Sequence, residues 1–126
     1  MLVQQLMILN PDANRDRILK GRSFDANGLL KDWDLHNGNI AELPECFGDV
    51  LCTGDLLLSF NQLESLLLSI SNLTLGGDLS LGYNKLRRLP PNFEQIRVGE
   101  MLGLYNNPEL TRIPTQFPNV KGDVCR

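Results

Sequence analysis

Asp34, His36 and Ser59 are the residues with which this 126-residue chain could attempt chemistry. Asp34 and His36 stand two apart, so a strand would put both on one face. Ser59 follows His36 by 23 positions. These are the side chains of a base, a nucleophile and an orienting acid. Acyl transfer also needs donors for an oxyanion and a site that excludes water. An open strand face offers neither, and no Walker-type loop, HExxH or CxxC is present. The expectation is a non-enzyme with no catalytic residue, no cofactor and no metal site.

Charged residues recur with the same interval. Asp32, Asp55 and Asp78 are 23 apart, and the last two follow glycine. Three carboxylates in register would repel one another and welcome a basic partner or a cation. The favoured reading is that each bonds nearby backbone where a strand begins, since aspartate caps turns readily. Lys85, Arg87, Arg88 and Arg112 sit where Glu42 and Glu64 stand earlier, dividing one rim into a basic and an acidic half. Four cations with no stacking platform, in a chain of net charge -3, argue against nucleic acid.

The interval belongs to the scaffold that must position these groups. Residues 54–70 read GDLLLSFNQLESLLLSI and residues 77–93 read GDLSLGYNKLRRLPPNF. Leu56, Leu58, Asn61, Leu63, Leu66 and Ile70 recur as Leu79, Leu81, Asn84, Leu86, Leu89 and Phe93. A third pass gives Leu102, Leu104 and Asn107, then resumes after one inserted residue at Leu110, Ile113 and Phe117. Backwards, the pattern gives Trp33, Leu35, Gly38, Ile40, Leu43 and Phe47, and reaches Phe24 as a leading half-unit. Leucines two apart face one side of a strand. A unit this short cannot bury that face alone, so neighbouring units must stack.

The pattern L-x-L-x-x-N-x-L-x-x-L-P-x-x-F resembles the leucine-rich repeat in its short, proline-containing intracellular form, over roughly Phe24 to Phe117. The resemblance implies an α/β solenoid whose parallel strands line a concave face. It also implies that Asn61, Asn84 and Asn107 form a buried ladder, their amides satisfying free backbone groups in neighbouring coils. Gly38 breaks that ladder in the first unit, where Asn37 or Asn39 would rebuild the turn or leave it looser. On the return path, Leu73-Thr74-Leu75 and Ile96-Arg97-Val98 have strand-like spacing. The convex side is therefore expected to carry irregular or short extended segments and at most a turn of helix around Pro91–Gln95, not full helices.

Residues 1–23 read as a helical N-terminal cap and 24–126 as the repeat array. Asn10-Pro11 is a helix-start signal, with Asp12 to Lys20 helical and Gly21 as the stop. Leu2, Val3, Leu6 and Met7 form the face of an earlier short helix. At the other end, Val124 and Cys125 either make a partial strand or leave the stack open. The run MLVQQLMIL lacks the basic start and cleavage site of a signal peptide, and no stretch is long enough to span a membrane. Asn72-Leu73-Thr74 is a glycosylation sequon that matters only in a secreted chain. Three cysteines without metal-ligand spacing suit a reducing setting, and the expected location is cytoplasmic. Cys52 aligns with Leu75 and Val98 as core, Cys46 falls on the convex side, and Cys125 is the one thiol expected to react.

With the leucines and asparagines assigned to scaffold, function falls to the outward positions. Phe60, Tyr83 and Tyr105 converge with Leu57 on the concave face, among serines and glycines, and Asp55 and Asp78 mark one margin. Rigid aromatics are good interface anchors. The expectation is a module that binds a protein partner through this face, with no nucleic-acid or membrane partner. Proteins with similar repeats are often scaffolds or regulators, for instance around small GTPases and their kinases. The rival is a structural subunit, docked or self-associating through the C-terminal end and the Leu67–Leu68 shoulder.

Overall fold

The structure is a computed structural model that describes residues 2–126. Two short helices open the chain, α1 (Leu2–Leu9) and α2 (Arg15–Lys20). Leu6 and Ile18 are fully buried beneath them, and Leu2, Val3 and Met7 pack against the same core. The Asn10-Pro11 pair does not start a helix, contrary to the sequence expectation. Asn10 is itself buried, and its amide donates to the carbonyls of Leu6 (2.8 Å) and Glu42 (2.7 Å). Its oxygen accepts the N–H groups of Ala41 and Glu42. With all its valences used across the chain, Asn10 has none left to cap. Asn14 does so instead, accepting the Arg17 N–H (3.1 Å), so α2 begins at Arg15.

Phe24 is the second departure. Strand β1 (Arg22–Phe24) runs antiparallel to β2 (Leu30–Asp34), as a hairpin that leaves Phe24 exposed. The backward step of the repeat placed Phe24 at a core position. The antiparallel turn at Asp25–Leu29 breaks the period, and the ring lies instead under the Arg22 guanidinium.

From β2 onward the period governs. Strands β4 (Leu56–Leu57), β6 (Leu79–Ser80) and β8 (Leu102–Gly103) follow in parallel. The register aligns Trp33, Leu56, Leu79 and Leu102, and β9 (Val124–Cys125) completes a six-stranded sheet. The partial strand at the C-terminal end therefore forms. Its register closes one residue short: Val124 pairs with Leu102 and Val120 with Val98. On the return path, β3 (Leu51–Cys52), β5 (Thr74–Leu75) and β7 (Arg97–Val98) make a second, three-stranded parallel sheet. The fold is thus mixed α/β, with mostly parallel sheet and few helices.

The core lies between the two sheets. Leu35, Leu58 and Leu81 are fully buried and Leu104 nearly so; Ile40, Leu63 and Leu86 form a second fully buried column. Short 3-10 turns at Glu45–Asp49, Leu68–Asn72 and Phe93–Gln95 carry Phe47, Ile70 and Phe93 inward. Trp33 stacks on Phe47 and satisfies its indole N–H on the Ile18 carbonyl, tying α2 to the first unit. Each such side chain contributes roughly 1.5–3 kcal/mol by burial. Leu67, in the place proline takes in other units, is buried, while Leu68 is exposed on the shoulder.

The later units approach so closely that a side chain at one turn would crowd the backbone of the unit before it. A side chain at Gly99 would meet the carbonyl of Gly76, and one at Gly76 would meet the carbonyl of Thr53. No buried side-chain nitrogen or oxygen among the described residues lacks a hydrogen-bond partner.

Candidate functional site

On the solvent-facing side of the six-stranded sheet, β2, β4, β6 and β8 are each followed by one unusual residue. Asn37, Phe60, Tyr83 and Asn106 all take left-handed backbone, with φ of 55°, 57°, 54° and 58°. Asparagine tolerates that region, whereas for bulkier L-residues it costs roughly 1–2 kcal/mol. Two units thus carry exposed aromatic rings where their neighbours carry the more relaxed residue. The conformation is held by the ladder, because the Phe60 and Tyr83 N–H groups donate to the Gly82 and Tyr105 carbonyls (both 3.1 Å).

Parallel strands about 4.8 Å apart bring like positions into contact. Phe60 and Tyr83 stack face to face, with centroids 4.3 Å apart and planes 7° from parallel. Tyr105 meets Tyr83 edge-on at 5.7 Å. Phe60 is 51% exposed and Tyr83 45%. Tyr105 is half-buried because its ring lies over Gly82 and Gly103; a Cβ on Gly82 would sit 2.6 Å from it. Leu57, half-buried, occupies the second unit at the position where Gly103 floors the fourth. The rings form one patch running across three units.

At the strand starts, Asp32 Oδ1 accepts the Asp55 N–H, Asp55 Oδ1 that of Asp78, and Asp78 Oδ1 that of Met101, each at 2.8 Å. The carboxylates therefore bond backbone, but in the next unit rather than in their own turn. Glu100, at the position of Gly54 and Gly77, joins them without having been singled out in the sequence. Oxygens of Asp55, Asp78 and Glu100 lie within 4.8 Å of one another. Extending the register to a fourth unit would have found it.

Beneath the aromatic patch runs the asparagine column. Asn61 Oδ1 accepts the N–H groups of Gly38 (3.1 Å) and Ile40 (2.9 Å), and its amide donates to the carbonyls of Leu35 and Leu58. Asn84 accepts from Leu63 and donates to Leu58 and Leu81. Asn107 accepts from Leu86 and donates to Leu81 and Leu104. All three are buried. The turn at Gly38 is held by Asn61 from the next unit, while Asn39 donates to the Asp12 carbonyl in the N-terminal segment.

His36 pairs through Nδ1 with Asp34 Oδ1, and Arg17 approaches the other oxygen of Asp34 at 3.6 Å. Among the described residues, no hydrogen bond joins the His36 ring to Ser59, so the structure does not assemble the three-residue constellation. Of the rim cations, Arg87 pairs with Glu64 at 3.6 Å on an exposed surface. Cys52 is buried with its thiol on the Lys31 carbonyl, and burial pushes its pKa up. Cys46 and Cys125 are half-buried. No helix among the described residues is long and apolar enough to cross a membrane.

Comparison with protein-family models, with curated proteins and with solved structures found no match to this chain.

Proposed function

We propose that this chain is a leucine-rich-repeat solenoid that acts as a non-catalytic binding module, taking a protein partner on the concave side of its six-stranded sheet. One observation carries the reading: Phe60 and Tyr83 are stacked, exposed, and held in backbone that disfavours them. Neither packing nor turn chemistry calls for an aromatic there, since Asn37 and Asn106 serve the same turn. Local strain kept at a surface is a pointer to function. Tyr105 extends the patch and Leu57 floors it, while Asp55 and Asp78 set its acidic margin. The solenoid assignment rests on the 23-residue register and on the three buried asparagines. Three free thiols accord with a cytoplasmic setting.

The test is co-purification from the native source with wild type and with a Phe60→Asn/Tyr83→Asn variant. Asparagine suits the left-handed turn, so the variant is expected to fold. A partner held by wild type and lost by the variant supports the reading. A partner held equally by both, or self-association unaffected by the change, moves the contact to the C-terminal end or the exposed Leu68 shoulder and overturns it.

A further inference from the structure

The aromatic patch is bordered by charge of two kinds, and that arrangement narrows the partner. At the strand starts stand Asp55, Asp78 and Glu100, clustered within 4.8 Å. None of them forms a salt bridge among the described residues. Asp32, their counterpart in the first unit, forms no salt bridge among the described residues either and accepts from the Ser23 hydroxyl. Asp55 and Asp78 belong to the two units that carry the exposed Phe60 and Tyr83 rings. Beyond the rings, at the opposite margin, come Lys85, Arg87 and Arg88, all exposed.

Asp55 and Asp78 each have one oxygen committed to a backbone N–H of the next unit. That bond fixes the side chain without neutralising it. Like charges this close are unfavourable until a cation arrives, so the cluster complements a positive group on whatever covers the rings. Asp55 and Phe60 are five positions apart, as are Asp78 and Tyr83, which is at most about 16 Å even for fully extended chain at about 3.3 Å per residue. Between them lie half-buried Leu57 and Ser59 in the second unit, while in the third and fourth units the Tyr105 ring covers Gly82 and Gly103.

Building on the function proposed above, we infer that the partner presents a linear segment in which Lys or Arg stands four to five residues from a large apolar side chain. The cation lies against Asp55, Asp78 and Glu100, and the apolar group packs on Phe60 and Tyr83. Electrostatic complementarity of this sort sets register and orientation more than raw affinity.

A displayed library of random linear peptides, selected on purified protein, tests this. Three proteins are compared: wild type, an Asp55→Asn/Asp78→Asn/Glu100→Gln variant, and the Phe60→Asn/Tyr83→Asn variant. The carboxamides keep an oxygen for the strand-start bonds, and thermal melts check that each variant is folded. Wild type is expected to enrich peptides with a basic residue at the stated spacing from an apolar one. The carboxamide variant should lose the basic preference and keep the apolar one, and the aromatic variant should enrich neither. Enrichment that depends on the rings but shows no basic preference overturns the inference and leaves the binding face standing. Enrichment indifferent to the rings, or none at all, overturns both.

Discussion

Asn84 shows how much one side chain can hold. Its oxygen takes an N–H from the preceding unit, and its amide spans carbonyls of two units. Asn84→Ala leaves those buried groups unpaired and is expected to lower stability by about 1–3 kcal/mol. Chemical denaturation measures it, and an unchanged midpoint would contradict the bonding described. Phe60→Asn behaves differently. It relieves roughly 1–2 kcal/mol of left-handed strain and gives up a ring stack of about 0.5–1.5 kcal/mol. Stability should therefore hardly change, and a large loss on denaturation would make the ring structural. Cys52 supplies a kinetic check. Burial raises its pKa, so little thiolate forms near neutral pH, and the thiol is also enclosed. Alkylation followed by mass spectrometry should modify Cys46 and Cys125 first and reach Cys52 only on unfolding.

At the scale of elements, the strands are two residues long in most units, and what fixes them is the closeness of their neighbours. Gly99→Ala puts a methyl against the carbonyl of Gly76, an overpacking expected to cost about 1–3 kcal/mol. A denaturation midpoint equal to wild type would mean that the turn can move apart freely. These elements were legible from residues 54–107 because leucine spacing, strand period and asparagine position all repeat there. Phe60, Tyr83 and Tyr105 were legible as neighbouring columns for the same reason. The helix boundary at Arg15 was not, since Asn10 is claimed by backbone some 30 residues away and sequence-local rules see only Pro11 beside it. The β1–β2 hairpin was missed because stepping the period backwards assumes that the period continues. The left-handed column had a signal that went unread: Asn37 and Asn106 occupy it, and asparagine is enriched in that conformation.

Around the aromatic patch the two signs of charge gather at different margins, although Glu64 stands beside Arg87. Asp32, Asp55, Asp78 and Glu100 line one margin, and Lys85, Arg87, Arg88 and Arg112 follow the other. Attraction across the face is long-range, whereas repulsion within the acidic cluster acts at short distance. Raising salt from about 0.01 M to about 1 M shortens the screening length from roughly 30 Å to 3 Å. It should weaken the attraction first yet leave a net gain, since the repelling oxygens lie within 4.8 Å. The melting temperature is expected to rise with sodium chloride, more in wild type than in the Asp55→Asn/Asp78→Asn/Glu100→Gln variant. Equal slopes in calorimetric scans would show that the cluster does not govern the effect.

The asparagine column has a consequence for how such a chain changes length. Each junction from the first unit to the fourth is closed by an asparagine that donates to carbonyls of two units and accepts backbone N–H from the unit before, the first junction taking one N–H more. Excising residues 55–77 in frame would join Gly54 to Asp78 and hand the Gly38 and Ile40 amides from Asn61 to Asn84. A gene encoding this protein can therefore shed or copy a 23-codon cassette and still specify a closed hydrogen-bond pattern. Lineages can then vary the number of rings on display without reinventing the fold beneath them.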